Sequence, residues 1–225
     1  MLAKTKGIVI SYIKYSETSI ICKIFTEAHG LQSFIINGIR AKSSKTKIGL
    51  FQPLTKLDLV IYYKETRSLQ RISEVKCNEP LNEIATYFPK TCVAMFMVDV
   101  LQQALTHENT DQYLFHYLDQ VISDLEHAKK GEIGFFPTQF IVSMSKAQGV
   151  LPQEVDELMK QVNEYHSFKL SVFEEQLIQN LLTGSPIELQ PIDKKKVFDI
   201  LITFYKQAIG DGRAFNSIPV LREIL

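Results

Sequence analysis

Short runs in which hydrophobic and polar residues alternate fill most of the first eighty positions and predict β-strands. The alternation does not decide which strand face is buried. In the second run, Ile20, Cys22 and Ile24 share one face, while Ile21 and Phe25 make the other face nearly as apolar. The five predicted strands cover residues 7–15, 19–26, 30–37, 57–64 and 69–76.

One connection, residues 38–56, is far longer than the others, and a loop of that length is usually functional or holds structure of its own. Five short strands with a long connection between the third and fourth are typical of the OB-fold, a five-stranded Greek-key barrel. An SH3-like barrel is the structural alternative. Apolar residues on both strand faces indicate that the barrel packs against the helical part of the chain.

From about residue 79 the hydrophobic period changes from two to three or four, which predicts helices. On the second long helix the predicted inward stripe runs from Tyr113 through Leu118 and Ile122. The fold class is therefore α+β and multidomain, with an OB-fold barrel in residues 1–79 and an all-α domain in residues 80–225. Predicted helices cover a short segment near residue 82 and residues 89–106, 110–129, 138–148, 171–182, 193–209 and 217–225.

Charge divides along the same line. The first eighty residues hold 13 Lys or Arg and 6 Asp or Glu, whereas the remaining residues hold 12 and 19, so the formal neutrality of the whole chain conceals two oppositely charged parts. A small basic β-domain usually binds a polyanion, and nucleic acid is the commonest one.

The basic residues are densest in the long connection, where no acidic residue occurs between Glu27 and Asp58. A basic loop beside a barrel suits a groove that follows the backbone of a single strand. A solvated surface loop is the alternative interpretation. Four aromatic residues could stack on bases, although a core position is the commoner role for each: Tyr12, Phe25, Phe34 and Tyr62. The candidate DNA-binding residues are Arg40, Lys42, Lys45, Lys47, Lys23, Lys56 and Arg71.

Motifs for other chemistry are missing from the sequence. No phosphate-binding glycine loop, dinucleotide fingerprint or nucleophile elbow occurs, and the five histidines lack the spacing of zinc ligands. Three widely separated cysteines predict neither a disulfide framework nor a zinc site. No apolar run reaches the roughly 18–20 residues of a membrane span. We therefore predict a cytoplasmic protein that is not an enzyme, has no catalytic residue, cofactor or metal, and does not bind membranes.

Several segments resemble motifs of one family, the bacterial recombination mediator RecO. The first strand, residues 5–10, is similar to that family's opening strand, and so are Tyr15-Ser16-Glu17-Thr18-Ser19 and the loop that begins Gly38-Ile39-Arg40. Farther on, residues 137–140, 149–152 and 216–221 resemble later family segments. The resemblance covers nearly the whole chain and is most specific in the first 45 residues.

The resemblance implies an N-terminal OB-fold, a helical C-terminal domain and no catalytic residue. It implies binding of single- and double-stranded DNA at the nucleoid and annealing of complementary strands. It also implies two protein partners, RecR and the acidic C-terminal tail of single-strand-binding protein, and loading of recombinase onto coated strands. Residues Arg40, Lys42, Lys45 and Lys47 match the family's basic loop. Many relatives carry a four-cysteine zinc element that residues 151–173 lack, so we expect no structural zinc.

Two alternatives remain open at this point. The barrel of a non-catalytic adaptor could bind an acidic protein partner in place of DNA. A small-molecule enzyme could use a pocket between barrel and helices. The tail of single-strand-binding protein would suit an apolar groove rimmed by cations such as Lys129, Lys130, Lys146, Lys194 or Arg213.

Overall fold

In a computed structural model of the protein, five β-strands are followed by eight α-helices among the described residues, which are 2–40, 48–105, 110–164, 166–186, 194–209 and 214–225. The strands are β1 (Leu2–Lys14), β2 (Ile20–Thr26), β3 (Gly30–Ile36), β4 (Lys56–Tyr62) and β5 (Gln70–Glu79). The helices are α1 (Asn82–Thr86), α2 (Phe88–Ala104), α3 (Gln112–His127), α4 (Phe136–Ala147), α5 (Val155–Val162), α6 (Val172–Thr183), α7 (Lys194–Ile209) and α8 (Ile218–Leu221).

The five strands close into a barrel in the order β1-β2-β3-β5-β4. Strands β3 and β5 are parallel, and every other neighbouring pair is antiparallel. This connectivity is that of the OB-fold, so the predicted fold class is confirmed and the SH3-like alternative is wrong.

Strand β1 begins five residues earlier than the sequence pattern predicts, and this extension closes the barrel. Its residues Leu2 to Ile8 pair with Tyr62 to Lys56 of β4. Inside the closed barrel, Gly7 is required by packing. A Cβ on Gly7 would lie 2.6 Å from Cγ2 of Ile24 and 2.8 Å from Cδ1 of Leu59, closer than side chains approach one another.

The barrel interior is a continuous hydrophobic core drawn from all strands except β5, which contributes partly buried residues. On β2, the side chains that face inward are Ile20, Cys22 and Ile24, and the opposite face carries Lys23 to solvent. The burial of these side chains therefore shows which of the two strand faces points into the barrel. The fully or nearly buried core residues are Val9, Ile20, Cys22, Ile24, Phe34, Ile39, Phe51, Leu57, Leu59 and Ile61.

The chain forms two compact units. The first comprises Met1–Ala94 and Leu101–His127, and the second comprises Met95–Val100 and Ala128–Leu225. Strand β5 ends at Glu79, where we predict a domain boundary, but the first unit also includes helical residues. That residues 1–79 fold as a domain of their own stays a prediction.

Helix α3 belongs to the first unit and covers part of the outer face of β2. Phe115 is buried and its ring lies 5.9 Å from that of Phe25. The predicted stripe placed Tyr113 inward, which is wrong, because that side chain is 91% exposed in the first helical turn. The buried stripe of α3 starts two residues later, at Phe115, and continues through Leu118, Ile122 and Leu125.

The second unit has an aromatic centre in which Phe96 packs against Phe140, Phe198 and Phe215. The stripe predicted for α7 is buried throughout: Val197, Ile200, Leu201, Phe204 and Tyr205. Helix α5 was missing from the sequence prediction, although it carries the helical spacing Val155, Leu158 and Val162. No helix in the described part of the chain is long and apolar enough to span a bilayer.

Candidate nucleic-acid interface

Arg40 follows β3 and is fastened to the loop between β1 and β2. Its backbone N–H donates to the carbonyl oxygen of Thr18 at 3.0 Å, and its guanidinium Nη1 donates to the carbonyl oxygen of Ser16 at 3.1 Å. The side chain is exposed, whereas its neighbour Ile39 is anchored in the barrel core. Arg40 is thus positioned on the β1–β2 loop, one of the loops that bind oligonucleotides in OB-folds.

Lys23 lies on the exposed outer face of β2, opposite Ser11 of β1 and Ser33 of β3. A lysine between two serines forms a surface patch that can donate several hydrogen bonds to phosphate oxygens. The outer face of strands 2 and 3 is also the ligand-binding face of OB-folds in general.

Arg71 is exposed near the start of β5, where it lies opposite Tyr62 of β4 and beside Ile35 of β3. Strand spacing and rise place Arg71 about 12 Å from Lys23 across the barrel surface. Neither residue forms an ion pair with another described residue. Both cations are therefore available on one face of the barrel.

Lys56 is different, and we remove it from the candidate interface. Its side chain is buried, and its ammonium donates to Oε2 of Glu79 at 2.7 Å, to Oγ of Ser123 at 2.7 Å and to the carbonyl oxygen of Asp119 at 3.0 Å. It also pairs with the Asp119 carboxylate at 3.0 Å. A cation enclosed by two carboxylates has no free side for a phosphate.

This Lys56 cluster, formed by Lys56, Glu79, Asp119 and Ser123, joins β4 and β5 to α3. Desolvation lowers the pKa of Lys56, but hydrogen bonds and charges from Glu79 and Asp119 outweigh it, so that pKa is raised. Hydrogen bonds from Lys56 and Ser123 lower the pKa of Glu79. Lys56 and Glu79 are accordingly both charged at neutral pH, and their contacts tie the barrel strands to α3.

The remaining basic-loop candidates, Lys42, Lys45 and Lys47, lie outside the described residues. Among the four aromatic candidates, Phe25 and Phe34 are buried and Tyr12 packs against the barrel core. Only Tyr62 of these four is exposed. The expectation that these aromatic residues lie in the core is therefore confirmed for three of them and is wrong for Tyr62.

Further cations, which the sequence did not single out, lie on β1 and β5. An open groove of about 510 Å³ crosses the outer faces of β1, β4 and β5 and carries Lys4, Lys6 and Lys76. These three lysines share the groove with the carboxylates of Glu27, Asp58 and Glu74. Balanced charge makes this groove a poor polyanion site. The missed signal was the period-two placement of Lys4 and Lys6 in β1.

His29 and Tyr63 form a stacked pair where the β2–β3 loop meets the β4–β5 loop. Their ring centroids are 3.8 Å apart with 14° between the planes. Nε2 of His29 is buried without a hydrogen-bond partner among the described residues, and desolvation lowers the pKa of the imidazole from 6.5. The neutral ring is the form that the folded protein stabilises.

We expect acid to weaken the fold through His29. Because the folded-state pKa is lowered, the unfolded chain takes up the proton first, so this contribution is present above pH 6.5 and is lost as the pH falls through the folded pKa. Urea unfolding at about pH 8 and about pH 5.5 should show a larger loss of stability in the natural protein than in His29→Phe, which keeps an aromatic ring but cannot titrate. Equal losses in the two proteins would contradict this role of His29.

In the part of the chain that the structure describes, no group of three or more His, Cys, Asp or Glu residues is placed to hold a metal ion. The segment that lacks the zinc cysteines is held by other contacts. The amide side chain of Asn163 bonds the backbone of Phe168 in both directions, and Ser171 and Glu174 form a capping box that begins α6. The absence of zinc stays a prediction.

Comparison with known proteins agrees with this geometry. Residues 1–81, which contain the whole barrel, match the family model described as "Recombination protein O N terminal". The entire chain aligns with the DNA repair protein RecO of Flavobacterium johnsoniae at 28% identity over 237 residues, which is 99% of that relative. The chain belongs to the RecO family. The RecO of Bacteroides fragilis is 36% identical over 155 residues, covering 68% of this chain and 62% of the relative.

The residues of this RecO-family chain that match the family model contain all five strands of the barrel. The family match therefore includes Lys23, Arg40 and Arg71 and the residues of the basic loop. It confirms the resemblance on which the expected fold depends. It does not by itself assign a role to any of these side chains.

Proposed function

We propose that this protein is a non-catalytic DNA repair protein that binds single- and double-stranded DNA through its OB-fold. The observation that carries the proposal is the outer face of β2 and β3. This face presents Lys23 between two serines, has Arg71 on the adjoining strand and has Arg40 at the β1–β2 loop. The named role of its RecO relatives supports the same function.

The proposed activity is annealing of complementary strands and loading of recombinase onto strands coated by single-strand-binding protein. A protein that only positions DNA needs cations and hydroxyls in place of an acid–base pair, which agrees with the residues on this face. The proposed partners are RecR and the C-terminal tail of single-strand-binding protein. The corresponding location is the cytoplasm, at the nucleoid.

Binding to a single-stranded oligonucleotide is the first experiment. If about four cations neutralise phosphates, a mobility-shift titration should give a salt slope near −3, and affinity should fall roughly 50-fold between about 50 and 200 mM salt. Oligonucleotides of different sequence should bind alike, since phosphate contacts carry no sequence information. Absence of binding at the lowest salt would contradict the proposal.

A protein-interaction adaptor is the second candidate, and the exposed apolar residues of the barrel surface favour it. An acidic peptide with hydrophobic anchors would use the same cations but would also depend on its apolar side chains. Competition between such a peptide and the oligonucleotide separates the two candidates. The adaptor predicts peptide binding without any oligonucleotide binding.

A further inference from the structure

A row of outward-facing residues crosses all five strands of the barrel at one level. The strand registers place these residues side by side in the order Ile13, Ile21, Ile35, Arg71, Tyr62 and Leu2. We call this set the exposed row. Three of its members are open to solvent, with exposed fractions of 62% for Ile13, 51% for Tyr62 and 56% for Leu2. Arg71 is also exposed, and the two remaining isoleucines are half-buried.

The row faces outward because side chains alternate along each strand. Tyr12 and Ile72, the sequence neighbours of Ile13 and Arg71, pack against the barrel core, so Ile13 and Arg71 point to the other side. Tyr63 likewise packs against the core, which leaves Tyr62 outside. The exposure of the row thus follows from the barrel register.

Apolar residues that are adjacent on a surface indicate a binding site more strongly than the same residues scattered singly. Five of the six residues in the exposed row are aliphatic or aromatic, and the sixth is Arg71. One neighbouring outward row contains Ser11, Lys23 and Ser33, and the other contains Lys4, Val60 and Glu74. The exposed row itself contains no acidic residue.

This combination selects for a partner that is anionic and also has flat apolar faces. Unpaired nucleobases attached to a phosphate backbone meet both conditions. Duplex DNA meets only the first, because its base faces are covered by stacking within the helix. An acidic peptide would offer charge but would not need planar groups for contact.

We propose that the exposed row is where unpaired bases bind, with Tyr62 and Arg71 as adjacent stacking planes. Directly opposed residues on neighbouring antiparallel strands have Cβ atoms about 4.5–5.5 Å apart, so the phenol and guanidinium can serve successive bases. Bases stack on aromatic rings and on guanidinium planes alike. The inference deepens the proposed function and rests on it, since it gives the barrel its preference for single strands.

The test compares three ligands of equal charge density on each strand: a single-stranded oligonucleotide, the same length of strand without bases, and the duplex. Tyr62→Ala should weaken binding to the single strand by roughly 5- to 100-fold. Binding to the abasic strand and to the duplex should change less than about twofold, and the salt slope should not change. Tyr62→Phe should bind like the natural protein.

Two further variants distinguish a loss of base contacts from a folding defect. Arg71→Lys keeps the charge but loses the planar group, so we expect weaker single-strand binding with an unchanged salt slope. Tyr113→Ala removes an exposed tyrosine from α3, which is not one of the barrel strands, and should have no effect. Circular dichroism should be the same for all variants.

The possible results separate the base-binding role of the exposed row from the proposed function. Equal weakening on all three ligands, or no weakening in Tyr62→Ala while the natural protein binds single strands, overturns the exposed row but leaves the proposed function standing. Failure of the natural protein to bind single strands overturns both. An acidic peptide with hydrophobic anchors serves as a fourth ligand, and a loss confined to that peptide would assign the row to a protein partner and overturn the inference.

Discussion

Replacing Arg40, Lys42, Lys45 and Lys47 together with alanine should weaken binding of single-stranded DNA by roughly 100- to 1000-fold at about 50 mM salt. The expected loss is large because each phosphate contact releases condensed counterions, and that gain in free energy is greatest when salt is dilute. The salt slope should become shallower than −3, because only the cations on the barrel face remain to release counterions. Titrations at several salt concentrations measure both quantities, and all sequences should be affected alike.

The lysines of the balanced groove described above provide a control. The variant in which Lys4, Lys6 and Lys76 become alanine removes three cations that share their groove with three carboxylates. We expect it to retain most of its affinity and its salt slope. Equal losses in the two variants would mean that overall charge matters rather than the loop. An unchanged affinity of the loop variant would refute the loop assignment.

Replacing Lys56 with methionine should lower the free energy of unfolding by about 2–4 kcal/mol. Methionine fills a similar volume but leaves the carboxylates of Glu79 and Asp119 close together without their shared cation. The expected cost is below that of a fully buried pair because both carboxylates are partly exposed and can recover some hydration. Urea unfolding measures the difference.

The control for Lys56 is Lys76→Met on β5, which replaces an exposed lysine. That change should alter stability by less than about 0.5 kcal/mol. Under conditions in which the Lys56 variant is folded, its affinity for DNA should equal that of the natural protein. Reduced affinity with unchanged stability would show instead that Lys56 contacts DNA.

The sequence was sufficient to predict the barrel because each strand carries its own local signal. Four of the five strands lie within a few residues of their predicted bounds, since turn residues flank them. The start of β1 was missed because Lys4 and Lys6 interrupt its apolar pattern. A strand forms there nevertheless, because these residues pair with β4. Local patterns cannot show which distant strand supplies a partner.

The candidate site was harder to predict for the same reason. Lys56 and Lys23 look alike in sequence, as single lysines at or within strands. Only the three-dimensional arrangement encloses Lys56 between Glu79 and Asp119, which are distant from it in the chain, and leaves Lys23 exposed. The error over Tyr113 and Phe115 has another origin. Tyr113 lies in the first turn of α3, where its side chain is exposed, so the buried stripe begins only at Phe115.

The Lys56 cluster also limits how the chain can be shortened. A fragment that stops at residue 81, where the family match ends, would retain Lys56 and Glu79 but lose Asp119 and Ser123, and it would uncover Phe25 where Phe115 now covers it. An isolated barrel of this kind would expose an apolar strand face beside an ammonium that has lost two of its hydrogen-bond partners. Fragments intended for binding studies should therefore extend through His127, the last residue of α3.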